Sequence, residues 1–368
     1  MPMRKAAHAE LGSSAAFGPD GVLYAVAKQG EHVVLYRSSD EGGTWSAPLV
    51  VNGHPEAISA DGENRPKLAF ANDGAVLVSW TRPLGKPFSG EIRFARAADG
   101  RQFSEPITVH RDRSEITHRF ESMAVAGDGR IVLAWIDKRD QEVAKAAKRP
   151  YAGAAIYAAL STDDGLSFQP EFKLADHSCE CCRTSVVNDR DGTPLVFWRH
   201  VFDDSERDHA LLRIGADGKP GPLQRATFDR WQIAACPHHG PSLAIDAQGA
   251  RHAVWFNHVG GEGRVFYGRL DAAGGKPLAQ RALGGPLAAH ADLAVSGKRV
   301  AVVWKEFDGE RTLLRGELSE DGGETFRPLE LAGSSGSSDQ PRVLSRGGEL
   351  FAFWRTDKEG LRLYPLTK

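Results

Sequence analysis

The chain has 368 residues, of which 41% are hydrophobic and 26% charged, and its formal net charge is −2. That length can bury a large core, and the near-neutral charge gives no electrostatic reason to expect a nucleic acid or an anionic membrane surface as partner. No apolar run approaches the roughly 18 residues of a membrane-spanning helix, and residues 1–8 lack the apolar core of a signal peptide, so we expect no membrane span.

An apolar strand ending in tryptophan recurs along the chain. The copies lie about 50 to 60 residues apart, a period typical of propellers and solenoids. Forty glycines and twenty prolines fit the many short strands and tight turns of such a fold. After a first copy without tryptophan at 22–26, the strands end at Trp80, Trp135, Trp198, Trp255, Trp304 and Trp354.

Each unit has the same internal order. A short strand precedes a glycine-containing turn, the tryptophan strand follows, and a third and a fourth strand complete most units. Four antiparallel strands make a propeller blade, so we predict an all-β, seven-bladed β-propeller that spans residues 1–368 as one domain. Six blades with a degenerate first unit is the alternative. The last unit lacks its fourth strand, and we expect residues before Leu11 to supply it and close the ring.

The turn between the third and fourth strands carries a repeated motif of the form SxDxGxTW. Aspartate and hydroxyl side chains in such a turn bind backbone donors, glycine adopts the positive-φ conformation, and the aromatic residue anchors the hairpin. The copies resemble the Asp boxes, or BNR repeats, of sialidase-like propellers. That resemblance implies a structural role on the face away from the active site. They lie at Ser38–Trp45, Ser161–Phe168, Ser319–Phe326 and, shortened, Ala97–Phe103.

A sialidase would also need three clustered arginines, a tyrosine–glutamate pair, an acidic proton donor and an Arg-Ile-Pro-like motif, for which only Arg65-Pro66 is a near match. A glycoside hydrolase or glycan-binding protein is therefore the alternative function, with a small molecule or glycan as ligand. Its candidate residues at the predicted channel are Arg65, Arg119, Arg183 and Arg342 with the acids Glu63, Glu121, Asp292 and Asp339.

The four cysteines belong to one internal repeat. At an offset of 57 residues, Cys179 falls on Cys236, Cys181 on His238 and Cys182 on His239. The tryptophan register adds His118 and Glu63 at the equivalent place in the two preceding units. Loops that enter the first strand of each blade open on one mouth of the central channel, so we expect these side chains to converge there.

Thiolate and imidazole together suit copper or zinc better than calcium or magnesium. Neighbouring Cys181 and Cys182 cannot easily bind one tetrahedral ion together, which favours copper over zinc. Disulfides are the alternative, with Cys179 or Cys182 joined to Cys236, or one bridge beside two free thiols. The predicted metal ligands are Cys179, Cys181, Cys182, Cys236, His238, His239 and His118, with His290 and Glu63 as outer candidates.

An insertion at 137–153 follows the tryptophan strand of the third unit. It carries five basic residues, and its middle, QEVAKAAK, favours a helix. We expect it to open on the channel face, where it would cover the site, dock a protein partner, or form a solvated loop.

The CxCC segment and residues 231–241 resemble a bacterial subgroup of sialidase-like propellers whose members are often exported. The resemblance implies a periplasmic or secreted protein whose leader is absent from this sequence. The leading hypothesis is an exported propeller that binds copper, or zinc, at the channel mouth and acts in copper handling or redox chemistry.

Overall fold

The computed structural model describes residues 10–233 and 237–367. Within these ranges the regular structure is almost entirely β, and the one α-helix is α1 at Arg139–Ala146, beside a 3₁₀ turn at Asp203–Ser205. The all-β prediction is confirmed. No helix in the described ranges is long and apolar enough to cross a membrane.

The strands pair antiparallel with their neighbours in the chain, and we treat them in seven consecutive groups. The first three groups are β1 (Ser13–Phe17), β2 (Leu23–Gln29), β3 (His32–Ser38) and β4 (Leu49–Val50); β5 (Lys67–Phe70), β6 (Val76–Pro83), β7 (Gly90–Ala97) and β8 (Ile107–Thr108); and β9 (His118–Val125), β10 (Ile131–Asp137), β11 (Ala154–Ser161) and β12 (Phe172–Ser178). The fourth and fifth are β13 (Ser185–Asn188), β14 (Pro194–Val201), β15 (Arg207–Arg213) and β16 (Gln224–Arg225); and β17 (Ser242–Ile245), β18 (Arg251–Val259), β19 (Glu262–Leu270) and β20 (Leu278–Leu283). The last two are β21 (Ala288–Ser296), β22 (Arg299–Phe307), β23 (Thr312–Ser319) and β24 (Arg327–Ser334); and β25 (Arg342–Arg346), β26 (Glu349–Thr356) and β27 (Gly360–Pro365).

The third and fourth groups join into one sheet through a single pairing, that of Ser178 in β12 with His200 in β14. The first strands of successive groups contact one another in the cycle β1, β5, β9, β13, β17, β21, β25 and back to β1.

The hydrophobic core lies between neighbouring groups. The second strand of each group is apolar at consecutive positions because adjacent groups cover both of its faces. Trp135 in β10, for example, packs with Leu77 of β6 and Phe94 of β7 in the preceding group. Every predicted tryptophan strand is a second strand, so the tryptophans mark the interfaces between groups.

The first strands surround a central cavity of about 290 Å³. Each group contributes a side chain to its wall: Ser14, Lys67, Ser122, Ser185, Ser242, Asp292 and Arg342. The repeat therefore brings residues far apart in the chain to one axis.

The Asp-box turns have the predicted hydrogen bonds. Asp163 accepts from the Ser161 hydroxyl at 2.7 Å and the Ser167 backbone N–H at 3.0 Å, and the Ser161 hydroxyl accepts from the Gly165 N–H at 2.9 Å. The boxes at Asp40 and Asp321 repeat this pattern.

The predicted closing strand, from the residues before Leu11, lies outside the described residues except for Glu10, which is not in a strand. The first and last groups are nevertheless in contact in the described part. Trp45 Nε1 donates to the carbonyl of Leu361 at 3.3 Å, and Asp339 accepts from the Ser13 N–H at 2.8 Å.

Candidate functional site

A cavity of about 940 Å³ opens beside the loops that precede β5 and β25 and beside β21 and β22. Its wall contains ionisable side chains from four groups of strands, which the repeat predicts for a channel mouth. We call it the mouth cavity, and its ionisable lining includes Asp61, Glu63, His238, His290, Lys305 and Asp339.

Glu63 is the best-connected acid at the mouth cavity. One carboxylate oxygen accepts from Arg183 Nη1 at 2.9 Å and His290 Nδ1 at 3.0 Å. The other accepts from the backbone N–H groups of Arg183 at 3.1 Å and Gly240 at 2.9 Å. Burial alone would raise the pKa of Glu63, but the Arg183 guanidinium and His290 outweigh it and hold that pKa well below its usual range. Glu63 is thus an anion at neutral pH.

His290 is held by that carboxylate. Because Nδ1 donates to Glu63, the proton sits on Nδ1 and the lone pair on Nε2. Burial lowers the pKa of His290, against the opposing effect of Glu63, so the ring is neutral at pH 7. The backbone of His290 is left-handed, with φ of 55°, at a register shift between β21 and β22. Strain of this kind, worth about 1–3 kcal/mol, is concentrated at functional sites.

His239 lies behind His290. The two rings stack at 4.3 Å between centroids, and Phe256 stacks on His239 at 4.0 Å. Burial, with the neighbouring His290, lowers the pKa of His239 to about 2. The Nδ1 atom of His239 is buried without a hydrogen-bond partner in the described residues. The ring is therefore an apolar support at neutral pH.

Two cationic side chains of the channel are tied into structural contacts. Arg65 is 2% exposed and donates to the carbonyls of Ser13 and Gln340 at 2.9 and 3.0 Å. Arg183 is engaged by Glu63. Lys305 is less constrained: its ammonium donates to the Ser338 carbonyl at 3.3 Å, and burial lowers its pKa.

Sequence reasoning missed Lys67, which lines the central cavity and whose pKa burial lowers to about 7, against the opposing charge of Glu121. Its position inside a first strand was the only sequence signal.

Three of the seven predicted metal ligands come together in a second place. The thiol sulfurs of Cys179, Cys181 and Cys182 lie within 4.8 Å of one another, and this is the one such group of potential ligands among the described residues. Cys179 Sγ is 3.4 Å from Cys182 Sγ and 4.0 Å from Cys181 Sγ. All three side chains are buried in the core between the third and fourth groups, with Phe120 and Trp198.

The predicted imidazole ligands lie in other contacts. His118 stacks on His110 at 4.0 Å, and its Nδ1 is 3.0 Å from the Gly90 carbonyl. His238 is exposed and lines the mouth cavity, and His239 stacks on His290. Cys236 lies outside the described residues. The structure thus divides the predicted cluster between a thiol group and a histidine–glutamate group.

The insertion at 137–153 contains helix α1, as its composition predicts. Glu180, between Cys179 and Cys181, accepts from Lys138 Nζ and, at 2.8 Å, from Gln141 Nε2. Residues at the start of α1 therefore bind the cysteine segment directly.

No family model matches the chain, and no curated protein matches it. Solved structures do. An ulvan lyase, a polysaccharide lyase bound to GlcA(1-4)Rha3S, superimposes with a TM-score of 0.61 at 12% identity, covering 99% of this chain and 96% of its own. A Hadza microbial sialidase gives 0.53 at 14% identity, covering 94% and 73%. A leech intramolecular trans-sialidase complexed with 2,7-anhydro-Neu5Ac gives 0.54 at 9%, covering 94% and 82%.

The fold is that of a sialidase-like β-propeller. At these identities the likeness establishes the fold alone. It extends over nearly the whole chain, so the mouth cavity belongs to the propeller itself and not to an added domain.

Proposed function

We propose that this protein is a seven-bladed propeller that binds and cleaves a glycan in the mouth cavity, with His290 as the base that removes a proton from the sugar. The observation that carries the proposal is the Glu63–His290 pair on the wall of a cavity of about 940 Å³. Seven blades are supported by the cycle of contacts among the seven first strands and by their shared central cavity.

A neutral imidazole held at Nδ1 by a buried carboxylate is well suited to general-base catalysis. Its pKa lies below its ordinary value, so it is deprotonated at neutral pH while the carboxylate fixes its orientation. The cationic group of Lys305 and the exposed His238 line the same cavity and can bind an acidic group of the sugar.

The reaction class that these residues favour is β-elimination from a uronate-containing polysaccharide. The base takes the proton next to the uronate carboxylate, a carbon–carbon double bond forms, and the bond to the leaving sugar oxygen breaks. That oxygen then takes a proton from water in the open cavity, and the base returns its own proton to solvent. Solved lyases with this fold, one of them bound to a glucuronate-containing sugar, support the choice.

Hydrolysis is the second candidate, and Asp61 favours it. This carboxyl lines the mouth cavity, and desolvation there raises its pKa, as a proton donor to a glycosidic oxygen requires. Glu63 is fully hydrogen-bonded, and Asp339 is bound by Ser13 and Arg65, so neither is available as the second carboxylate.

The test is to incubate the protein with uronate-containing polysaccharides and with sialosides, and to record ultraviolet absorbance of unsaturated uronate alongside reducing ends. We expect both signals to rise together on a uronate polysaccharide. The variant His290→Gln should lose at least about 100-fold in rate, in the range typical of a lost general base, while still binding the polysaccharide. The control is the exposed His54→Gln, which should retain full rate.

If reducing ends form without unsaturated product, the reaction is hydrolysis and not elimination. Wild-type rate in His290→Gln, or no turnover and no binding of any glycan, would contradict the proposed function.

A further inference from the structure

We propose that Cys179, Cys181 and Cys182 form a buried three-thiolate site for one soft metal ion, Cu(I), independent of the glycan site. Among the residues that the structure describes, these sulfurs are the only set of three or more potential ligand atoms that lie close together, and no nitrogen or oxygen ligand belongs to the set. A donor set of sulfur alone selects copper(I) or zinc over harder cations.

The spacing of the three sulfurs fits their coordination of one shared metal ion. With metal–sulfur bonds of about 2.3 Å, three sulfurs arranged around one ion are about 4 Å apart. The two distances from Cys179, 3.4 and 4.0 Å, bracket that separation, and all three sulfurs lie within 4.8 Å. A disulfide requires about 2.05 Å. The three donors among the described residues match trigonal Cu(I), whereas structural zinc takes four.

The surroundings supply an independent reason to expect negative charge here. Arg199 is 1% exposed, and its Nε and Nη1 atoms are buried without hydrogen-bond partners among the described residues. Its Nη2 donates to the carbonyls of His239 and Phe256, and its guanidinium stacks over Trp231 at 5.3 Å. No carboxylate in the described ranges forms an ion pair with it. An uncompensated buried charge costs several kcal/mol.

The thiol group adjoins Arg199 in the chain fold and can supply that compensation. The Cys179 N–H donates to the Arg199 carbonyl at 2.9 Å, which places the two residues side by side on adjoining chain segments. Metal-bound thiolates at this place would provide the anion that Arg199 lacks. The apolar neighbours Phe120, Ile136 and Trp198 exclude water and so protect Cu(I) from oxidation and exchange.

The test titrates reduced protein with Cu(I) under anaerobic conditions against a chromophoric Cu(I) chelator. We expect one ion per chain to be held, with a shell of three sulfurs in X-ray absorption. The variants Cys179→Ser and Cys182→Ser should each lose more than about 100-fold in affinity, because removing a ligand costs more than the 10–100-fold of an outer-sphere change.

Two controls separate this site from the histidines and from the glycan site. His238→Gln and His290→Gln should bind Cu(I) as the wild type does, and His290→Gln should still lose glycan turnover. Because the X-ray measurement uses the wild type, the proposal stays testable if a cysteine variant fails to fold.

Three results would overturn the assignment. They are the absence of Cu(I) retention by fully reduced protein, tighter retention of Zn(II) in a parallel chelator competition, or nitrogen in the copper shell together with weakened binding in His238→Gln.

Discussion

At the channel mouth, one carboxylate sets the tautomer of His290, and a second histidine supports that ring. Glu63 binds the Nδ1 proton of His290 and thereby leaves Nε2 basic. The same buried surroundings keep His239, stacked behind it, uncharged. A charged His239 would repel Arg183 and Arg199, so its neutrality is part of how the base is held.

The stability of the protein in acid should depend on His239. Its pKa is about 2 in the folded chain and about 6.5 when unfolded. Between these values the unfolded state binds one more proton, so the free energy of unfolding falls as pH falls, by up to about 1.4 kcal/mol per pH unit. Above about pH 6.5 the ring is neutral in both states and has no such effect.

The variant His239→Gln should therefore flatten the acid side of the stability curve. Denaturant unfolding between pH 4 and pH 6.5 measures this slope, which we expect to decrease by up to about 1.4 kcal/mol per pH unit. His110 and His200, with pKa values lowered to about 3 and about 4 by burial, keep their own contributions. His54→Gln, at an exposed position, is the matched control and should leave the slope unchanged. Equal slopes in all three proteins would contradict the burial of a neutral His239.

The sequence located the mouth residues but not their partners. Glu63, His238 and His290 do line the mouth cavity, because the repeat register fixes which loop each residue occupies. The register does not fix side-chain direction. In the CxCC segment the thiols turn into the apolar core with Phe120 and Trp198, where a small hydrophobic side chain is favourable. The bond between His290 and Glu63 joins residues 227 positions apart, for which the sequence has no local signal.

At the scale of elements, helix α1 is attached to the cysteine segment by two side chains. Lys138, just before the helix, and Gln141, in its first turn, both bind Glu180. The last turn of the helix is solvated, as the 77% exposed Lys145 shows. The insertion is thus attached to the cysteine segment, whereas covering of the thiols, docking of a protein partner and location outside the cytoplasm stay predictions.

Releasing α1 should expose the thiols. In metal-free reduced protein, Glu180→Ala removes both contacts, and we expect the buried cysteines to react with a chromogenic thiol reagent at least about tenfold faster, equivalent to about 1.4 kcal/mol in the opening equilibrium. Lys145→Ala changes the exposed last turn of the same helix and should react at the wild-type rate. If Glu180→Ala also reacts at that rate, α1 does not limit access.

The presence of the individual strands and turns was the most predictable part of the fold. The tryptophan strands are second strands, and each lies between two sheets. Such a strand is a continuous apolar run, which can be recognised from the sequence without tertiary information. The Asp boxes likewise form from local hydrogen bonds, as Ser161, Asp163 and Gly165 show. The single pairing that joins the third and fourth groups, Ser178 with His200, depends on tertiary geometry and left no trace in the sequence.

At the scale of the whole molecule, a buried polar contact joins the first and last groups. Asp339, before β25, accepts from the N–H and hydroxyl of Ser13 at 2.8 Å each and lies 3.4 Å from Arg65 Nη1. Arg65 in turn precedes β5 and also binds Gln340. Three groups of strands are therefore connected by one ion pair whose side chains are 2% or less exposed.

Removing this carboxylate should destabilise the entire fold. Asp339→Ala leaves Arg65 and the Ser13 N–H buried without their partner, which costs about 3–5 kcal/mol when one member of a buried pair is lost. Urea unfolding should show a single transition at a lower midpoint, because the contact connects groups of strands that unfold together. The matched control is Glu320→Ala, which breaks the Arg299–Glu320 pair at 2.9 Å between half-exposed side chains and should cost at most about 1 kcal/mol. A loss in Asp339→Ala no larger than in this control would show that the contact does not help to hold the first and last groups together.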